Sequence, residues 1–423
     1  MTTALWPTVH LYADFAGAPL SSHSNPADIA GDLVGFQTHR GRDNTASTFD
    51  VGSCTLVLDN TLGQYGPTYT QTPWAGNIQP MKWMRLWCVA GAAVPNIFEG
   101  YVDGWTLVTS GTGEEYVTVT LSDAFKILNL FQWTGGSTSA TTDQRIQTVE
   151  QLAGFTSFGH LDTGLSTVPA ILAPANLNGL QHCQDVANTE DGQYYIGMNT
   201  PTVGAAGFVF ESRYHRSTAS RSTTSQATLI DDGTGTIDYE DNQSFAYDDS
   251  QIWTSSTVTD GNGDTFTYTD TSSAITNYLN RTQTVSILTT APNEGADRAA
   301  WTVQSSLGQL NQVRIDGITV DPVFAATASG TTTLWQTLLS LDISDRVTVK
   351  RTAPPSTLHG LPSNQITGDF FIERIDHSVS LADGYWQVTF GLSAVTQTAP
   401  NWLIIGTGKL GTTGGANTAV LGY

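Results

Sequence analysis

Alternation with a period of two, in short segments broken by turn residues, constrains this chain more than any other feature. In SCTLVLDN (Ser53–Asn60), Cys54, Leu56 and Leu58 fall on one face and Ser53, Thr55 and Val57 on the other. MRLWCVAG and NIFEGYVDGW follow, separated by the turn-like AGAAVPN. EEYVTVTLSDAF then sets Val117, Val119 and Leu121 together, with Gly111–Gly113 supplying a hairpin before it. A helix would scatter these apolar residues around its circumference; a strand lines them up. Only 13% of residues are charged, against roughly 25% in ordinary domains, and threonine, serine and 41 glycines fill the polar positions. Successive strands with tight turns predict an antiparallel barrel or sandwich.

The pattern changes near Gly135. A small-polar linker leads into DQRIQTVEQLAGF, where Ile146, Val149, Leu152 and Ala153 have helical spacing. GLQHCQDVANTED predicts a second helix, and GQYYIGM with GFVFESRYHR predicts a strand pair. From Ala246 the β pattern returns. QIWTSSTVTDGNGDTFTYTD predicts a hairpin with a Gly-rich tip, TQTVSILTT a strand, and TTLWQTLLSLDI a helix through Leu334, Leu338 and Leu341. DRVTVKRT and GDFFIERIDHSVSLADGYWQVTFGLSAV close the folded part. The expected architecture is mainly β with an α/β insertion: two similar antiparallel β-barrel domains flanking a mixed α/β domain. Its expected boundaries are 1–134, 135–245 and 246–398, with an extended Gly-rich arm over 399–423.

A weak internal repeat supports the two-barrel expectation. MRLWCVAG…NIFEGYVDGW…YVTVTLSDA and DRVTVKRT…GDFFIERIDHSV…YWQVTFGLSA each open a strand with an arginine (Arg85, Arg346). Each then has an aromatic at the start of the next strand (Phe98, Phe371), an aspartate five residues on (Asp103, Asp376), and a last strand ending in Leu-Ser (Leu121, Leu392). Three chains with two equivalent barrels each would close a ring of six.

The chain has 38 acidic and 17 basic residues, a formal charge of −21, which argues against a surface that grips nucleic acid. Such a balance suits a surface that DNA must pass without sticking, although solubility alone is the simpler account. Cys54, Cys88 and Cys183 are odd in number and widely spaced. A disulfide framework is not expected, with a single Cys54–Cys88 bridge left open. MTTALWPTVHLYADF lacks the basic and long apolar regions of a signal peptide, and no apolar run approaches membrane length. Synthesis and folding in a cytoplasm are the expectation.

RGRDNTASTFDVGSCTLVLDNTLGQYGP, with TPWAGNIQPMKWMRLWCV and FEGYVDGW, resembles the N-terminal barrel of actinobacteriophage minor tail proteins, which are similar to the baseplate hubs of long-tailed phages. DISDRVTVKRT…GDFFIERIDHSV…WQVTFGLSAV resembles the second barrel of the same hub. The resemblance implies a structural virion protein: a homotrimeric, pseudo-sixfold tail-tip hub assembled in the host cytoplasm. It further implies tail-tube and distal tail proteins above it, and tip, fibre or tape-measure proteins below. DNA would be present only in transit through a central channel, and the chain itself would not insert into a membrane. A tail-associated carbohydrate-binding adhesin is the alternative.

DGNGD (Asp260–Asp264) starts like a calcium loop, but Thr265 and Thr271 stand where that loop needs glycine and glutamate, which favours a hairpin tip. The acidic Asp231–Asp241 stretch reads better as a solvated loop than as a cation site. His182 and Cys183, adjacent on a helix, point in different directions, and no second pair at metal-ligand spacing accompanies them. Glu114 and Glu115 face opposite sides of a strand. There is no nucleophile elbow or phosphate loop. Neither catalytic, cofactor-binding nor metal-binding residues are therefore assigned. Trp74, Trp83 and Trp87 with Tyr65 and Tyr69 suit a sugar-stacking platform, though core and interface packing is the stronger expectation. Arg40, Gly41 and Arg42 are expected to form a turn into paired strands, the arginines making interdomain or intersubunit ion pairs.

Overall fold

The computed structural model describes residues 6–43, 48–66, 70, 72–109, 115–174, 176–199, 206–231, 237–240, 243–247, 249–308, 313–323, 332–353, 364–395, 402–403 and 420–421. The expected hairpin glycines Gly111–Gly113, Glu114, Tyr69, parts of Asp231–Asp241 and most of the C-terminal arm lie outside the described residues.

The fold is mainly β, and one mixed sheet of 13 strands dominates it. The first block contributes β1 (Thr8–Asp14), β2 (Leu33–Gly41), β3 (Ser53–Asp59), β4 (Trp83–Val89), β5 (Asn96–Thr109) and β6 (Glu115–Ser122). They lie in the order β2-β3-β6-β5-β4-β1, every neighbour antiparallel. The expected alternation holds: Leu56, Leu58, Val117, Val119 and Leu121 are buried, while their strand neighbours are more exposed. Later in the chain come β7 (Ala227–Ile230), β8 (Ile318–Val320), β9 (Arg346–Ala353), β10 (Asn364–Ser380) and β11 (Tyr385–Ala394). Two-residue strands, Ala27–Asp28 and Ile237–Asp238, stand at the two ends of the sheet.

The two blocks are not separate in space. Strand β2 pairs antiparallel with the second half of β10, Arg374↔Gly41 through Ser380↔Gly35, so one sheet runs through both. Among the described residues the path of paired strands stays open from one end strand to the other. Strand β7, which sequence spacing assigns to the middle block, joins the large sheet by parallel pairing with β9. Parallel pairing between distant segments leaves no local signature in the sequence, which explains its absence from the expected boundaries.

The repeat is visible in three dimensions, in a corrected register. Strands β4-β5-β6 and β9-β10-β11 are both antiparallel meanders, and each middle strand carries a bulge facing the last strand. Tyr101↔Ser122 and Val102↔Leu121 precede the first bulge; Phe371↔Ser393 and Ile372↔Leu392 precede the second. Asp103 is thus equivalent to Glu373, three residues before the expected Asp376, and Tyr101 rather than Phe98 matches Phe371. The equivalence of Leu121 and Leu392 stands. In both copies the bulged acid accepts from the serine on the next strand, Ser122 Oγ at 2.7 Å and Ser393 Oγ at 2.5 Å. A bulge redirects one side chain, and here it redirects the same kind twice.

Helices α1 (Phe125–Leu130), α2 (Thr142–Leu152) and α3 (Gly179–Thr189) follow the first block. The expected helical face of α2 buries Ile146 and Val149, whereas Leu152 is exposed. Asn178 caps α3 by accepting from the Gln181 N–H at 2.9 Å. The predicted pair is present: Gln193–Gly197 runs antiparallel to Gly207–Glu211, which also pairs in parallel with His160–Leu161. Two one-turn helices, α4 (His215–Thr218) and α5 (Ser220–Thr223), lead back to the large sheet. One continuous core spans the two β blocks and helices α1–α3.

A smaller unit stands beside it. The predicted hairpin, Ser255–Thr259 with Thr265–Thr269, gains Thr282–Ser286 as a parallel third strand. Helix α6 (Pro292–Leu307) covers it with a core of its own: Val258, Val285, Ile287 and Ala299. Sequence reasoning missed α6, although Pro292 at its first position and the Ala299/Val303 spacing signal it. Helix α7 (Thr332–Ser340) occurs where predicted, burying Leu334 and Leu338.

Candidate functional site

The Arg-Gly-Arg stretch lies where the two blocks meet. It is the end of strand β2 rather than a turn, and Gly41 crosses β10 at the Glu373 bulge. Gly41 has φ +113°, and a Cβ there would lie 2.1 Å from the Glu373 carbonyl oxygen. Only glycine accepts both the positive φ and the close approach. That approach lets the Arg42 N–H donate to the Glu373 carbonyl at 3.0 Å while Arg42 Nε donates to Glu373 Oε2 at 2.9 Å.

Glu373 is 1% exposed. Arg216, from α4, donates to it twice, Nη1 to Oε1 at 2.6 Å and Nη2 to Oε2 at 3.1 Å. Burial alone pushes the Glu373 carboxyl up, but the charges of Arg216 and Arg42 outweigh it and hold the group down to about 2. The two guanidiniums also stack, Arg42 over Phe49 at 4.5 Å and Arg216 over Phe371 at 4.6 Å. The pairs Arg42–Glu373 and Arg40–Asp342 (3.1 Å) are the expected ties between blocks. Asp342 in turn accepts the backbone N–H groups of Met198 and Asn199 at 2.9 and 3.1 Å, bringing the middle segment into the same joint.

One sequence signal, Arg-Gly-Arg, pointed to this joint. Glu373, Arg216 and Asp342 carried none, because their partners are far away in sequence. A cleft of about 280 Å³ opens beside the joint, lined by Arg42, Arg216, Gln184, Asp191, Arg298 and Trp301. Arg298 pairs there with Asp191.

The other candidates fall elsewhere. Asp260 and Asp264 form the expected hairpin tip, Asp260 Oδ1 accepting the N–H groups of Asn262 and Asp264, both at 2.9 Å. His182 packs edge-on to Trp133, its pKa pushed down to about 4 by burial, while Cys183 is buried nearer Glu150 and Tyr194. All three cysteines are free and buried, so Cys54 and Cys88 form no bridge. Among the described residues, the platform aromatics are engaged in packing and ring stacking. Tyr65 and Trp83 are buried, Trp74 stacks on Phe15 at 4.5 Å and Trp87 on His10 at 4.2 Å, so these four present no shared exposed face. The structure also gathers His160, Asp162 and His215, which their sequence spacing gave no reason to associate. No helix among the described residues is long and apolar enough to cross a membrane.

No protein-family model matches the chain, and no curated protein matches it. Solved structures do. A tail protein from Neisseria meningitidis MC58 aligns over 91% of this chain and 97% of its own, with TM-score 0.55 and 12% identity. The 43 kDa tail protein of prophage MuSo2 from Shewanella oneidensis aligns over the same shares, with TM-score 0.52 and 16% identity. At such identities the likeness is one of fold: nearly the whole chain is built as these two tail proteins are built.

Proposed function

We propose that this chain is a structural virion protein, the homotrimeric hub of a phage tail tip. Its two blocks would alternate around a pseudo-sixfold ring that joins the hexameric tail tube to the threefold tip. The observation that carries the reading is a difference between the two copies of the meander. In the second copy, β9 covers β10 up to Phe371, and beyond the bulge β2 takes over on the same side. In the first copy, β4 covers β5 only up to Tyr101, with Met81 and Lys82 bonding Val102. Beyond that bulge, Gly104–Thr109 pairs with β6 alone among the described residues. Leu107 and Val108 on this edge are 45% and 47% exposed.

An exposed apolar edge strand is a template for another strand. The equivalent edge is filled from within the chain, so the open one is filled by the neighbouring subunit. The donor is the segment beside β8, where the Glu240 N–H bonds the Thr319 carbonyl at 2.9 Å, as β2 lies beside β3. Repeating one joint within and between subunits generates a closed ring, and six blocks require three chains. The acidic balance of the chain suits a lumen through which DNA passes. The tail tube and distal tail proteins would lie above, and tip, fibre or tape-measure proteins below. The role is mechanical and no catalytic step is assigned. The glycan-binding alternative loses support at Tyr65, Trp74 and Trp83, which pack against buried cores.

Light scattering tests the assembly. The expected mass is three times the 45.2 kDa chain, and Leu107→Glu with Val108→Glu should give a folded monomer. A wild-type protein that is monomeric at micromolar concentration would count against the ring. A trimer untouched by the double substitution would move the seam away from β5. In images of the particle, a threefold ring with a central opening is the expected view.

A further inference from the structure

On the flank of the joint, three metal-binding side chains converge from segments that the ring reading does not use. His160 stands on the short strand paired in parallel with Gly207–Glu211 (His160↔Val209), and the Asp162 N–H extends that pairing to the Phe210 carbonyl at 2.9 Å. His215 opens α4. His160 Nε2 lies 2.8 Å from Asp162 Oδ1, and His215 Nδ1 lies 2.8 Å from Asp162 Oδ2. The ligand atoms of all three are within 4.8 Å of one another.

The arrangement is held from behind. The Ser212 N–H donates to Asp162 Oδ2 at 2.9 Å. The second nitrogen of His215, Nε2, is 3.3 Å from Glu211 Oε1. Glu211 is itself buried and accepts from the Tyr195 hydroxyl at 2.7 Å and from Ser344 Oγ at 2.6 Å. A carboxylate behind a histidine, fixing its tautomer and ring plane, is the usual outer partner of a metal-ligating imidazole.

We propose that His160, Asp162 and His215 form a zinc site, with Glu211 as the positioning residue for His215. Two imidazoles and one carboxylate are borderline nitrogen and oxygen donors that suit Zn²⁺, whereas Ca²⁺ and Mg²⁺ prefer oxygen alone. Tetrahedral bonds of about 2.0–2.1 Å place ligand atoms about 3.3 Å apart. The two 2.8 Å contacts therefore open by about half an ångström as zinc replaces the shared protons. His160, its side chain 39% exposed, has room to make that movement and leaves the fourth position to water. The neighbouring residue, Arg216, grips Glu373. Zinc on His215 would thus clamp the segment that delivers Arg216 to the joint. This inference does not depend on the ring, since all its residues belong to one chain.

The test is calorimetric titration of chelator-treated full-length protein with Zn²⁺, repeated with His160→Ala. This substitution removes the most exposed ligand and leaves the joint untouched. The expected result is one Zn²⁺ per wild-type chain and at least tenfold weaker binding in the variant, with an unchanged metal-free melting temperature. Co²⁺ in place of Zn²⁺ should give the visible bands of a tetrahedral site in the wild type and lose them in His160→Ala. Absence of stoichiometric zinc binding would overturn the proposal. So would equal affinity in the variant, which would leave His160, Asp162 and His215 as a hydrogen-bonded chain only.

Discussion

Replacing Glu373 by glutamine should destabilise the protein more than any other single charge removal in the joint. The side chain is 1% exposed and receives hydrogen bonds from Arg42, Arg216 and Ser393. Glutamine keeps the volume but removes the charge, and its amide N–H₂ must face one of the guanidiniums. Uncovering a buried charge in this way costs about 3–5 kcal/mol, and here two cations lose one anion. A second route gives a similar size. The carboxyl is held at about 2 against an ordinary 4.5. That gap, at about 1.4 kcal/mol for each tenfold, corresponds to about 3 kcal/mol. Because the folded-state value is depressed, this contribution is full above about pH 4.5 and is lost as pH falls toward 2.

Urea unfolding of wild type and Glu373→Gln at pH 7 and pH 3 measures both effects. The variant should lose about 3–5 kcal/mol at pH 7 and much less at pH 3, where the wild-type carboxylate is already surrendering its advantage. A loss at pH 7 no larger than the roughly 0.5 kcal/mol of a surface substitution would refute the reasoning. The control replaces the whole triad, Arg42→Met, Arg216→Met and Glu373→Leu. It should recover most of the loss, since removing a buried ionic group entirely is far milder than orphaning part of it.

Three further outcomes follow from the geometry. Gly41→Ala should cost more than about 2 kcal/mol in the same urea assay, because the Cβ meets the Glu373 carbonyl and φ is positive. Burial raises all three thiols, Cys88 to about 12, so a thiol reagent at pH 8 should titrate none in the native protein and three after denaturation. Asp260→Ala removes the acceptor of two backbone N–H groups at the hairpin tip and should cost about 1–3 kcal/mol. Hydrogen exchange should then quicken in Ser255–Ser286 and not in β2–β6, because the smaller unit has its own core.

Local features of this fold were legible in the sequence. The alternation around Leu56 and Val119, the α2 and α3 spacings and the DGNGD tip each depend on neighbours within one or two turns of chain, and each appears where expected. Pairings that close long loops were not legible. Nothing near His39 announces Asp376, yet His39 Nδ1 lies 2.7 Å from its carboxylate. The same holds for β7 on β9, for Arg216 on Glu373, and for His160 beside His215. The repeat was found but misaligned by three residues, because an aromatic residue followed five places later by an aspartate occurs in both copies (Phe98/Asp103 and Phe371/Asp376) at positions that the strand pairing does not make equivalent. Once the bulges are matched, the acid-and-serine pairs Asp103/Ser122 and Glu373/Ser393 are plain.

The β2–β10 joint also sets a timetable for the chain as it is made. Arg42 and its acceptor Glu373 are 331 residues apart. At about 5–20 residues per second, β2 waits about 15–70 s for its partner to leave the ribosome. During that wait its outer edge is an unpaired strand, of the kind that invites aggregation. His39, Arg40 and Arg42 sit at the end of this edge, and basic side chains are an effective deterrent against pairing with the wrong strand. The same arginines that lock the finished joint would guard it while it is incomplete.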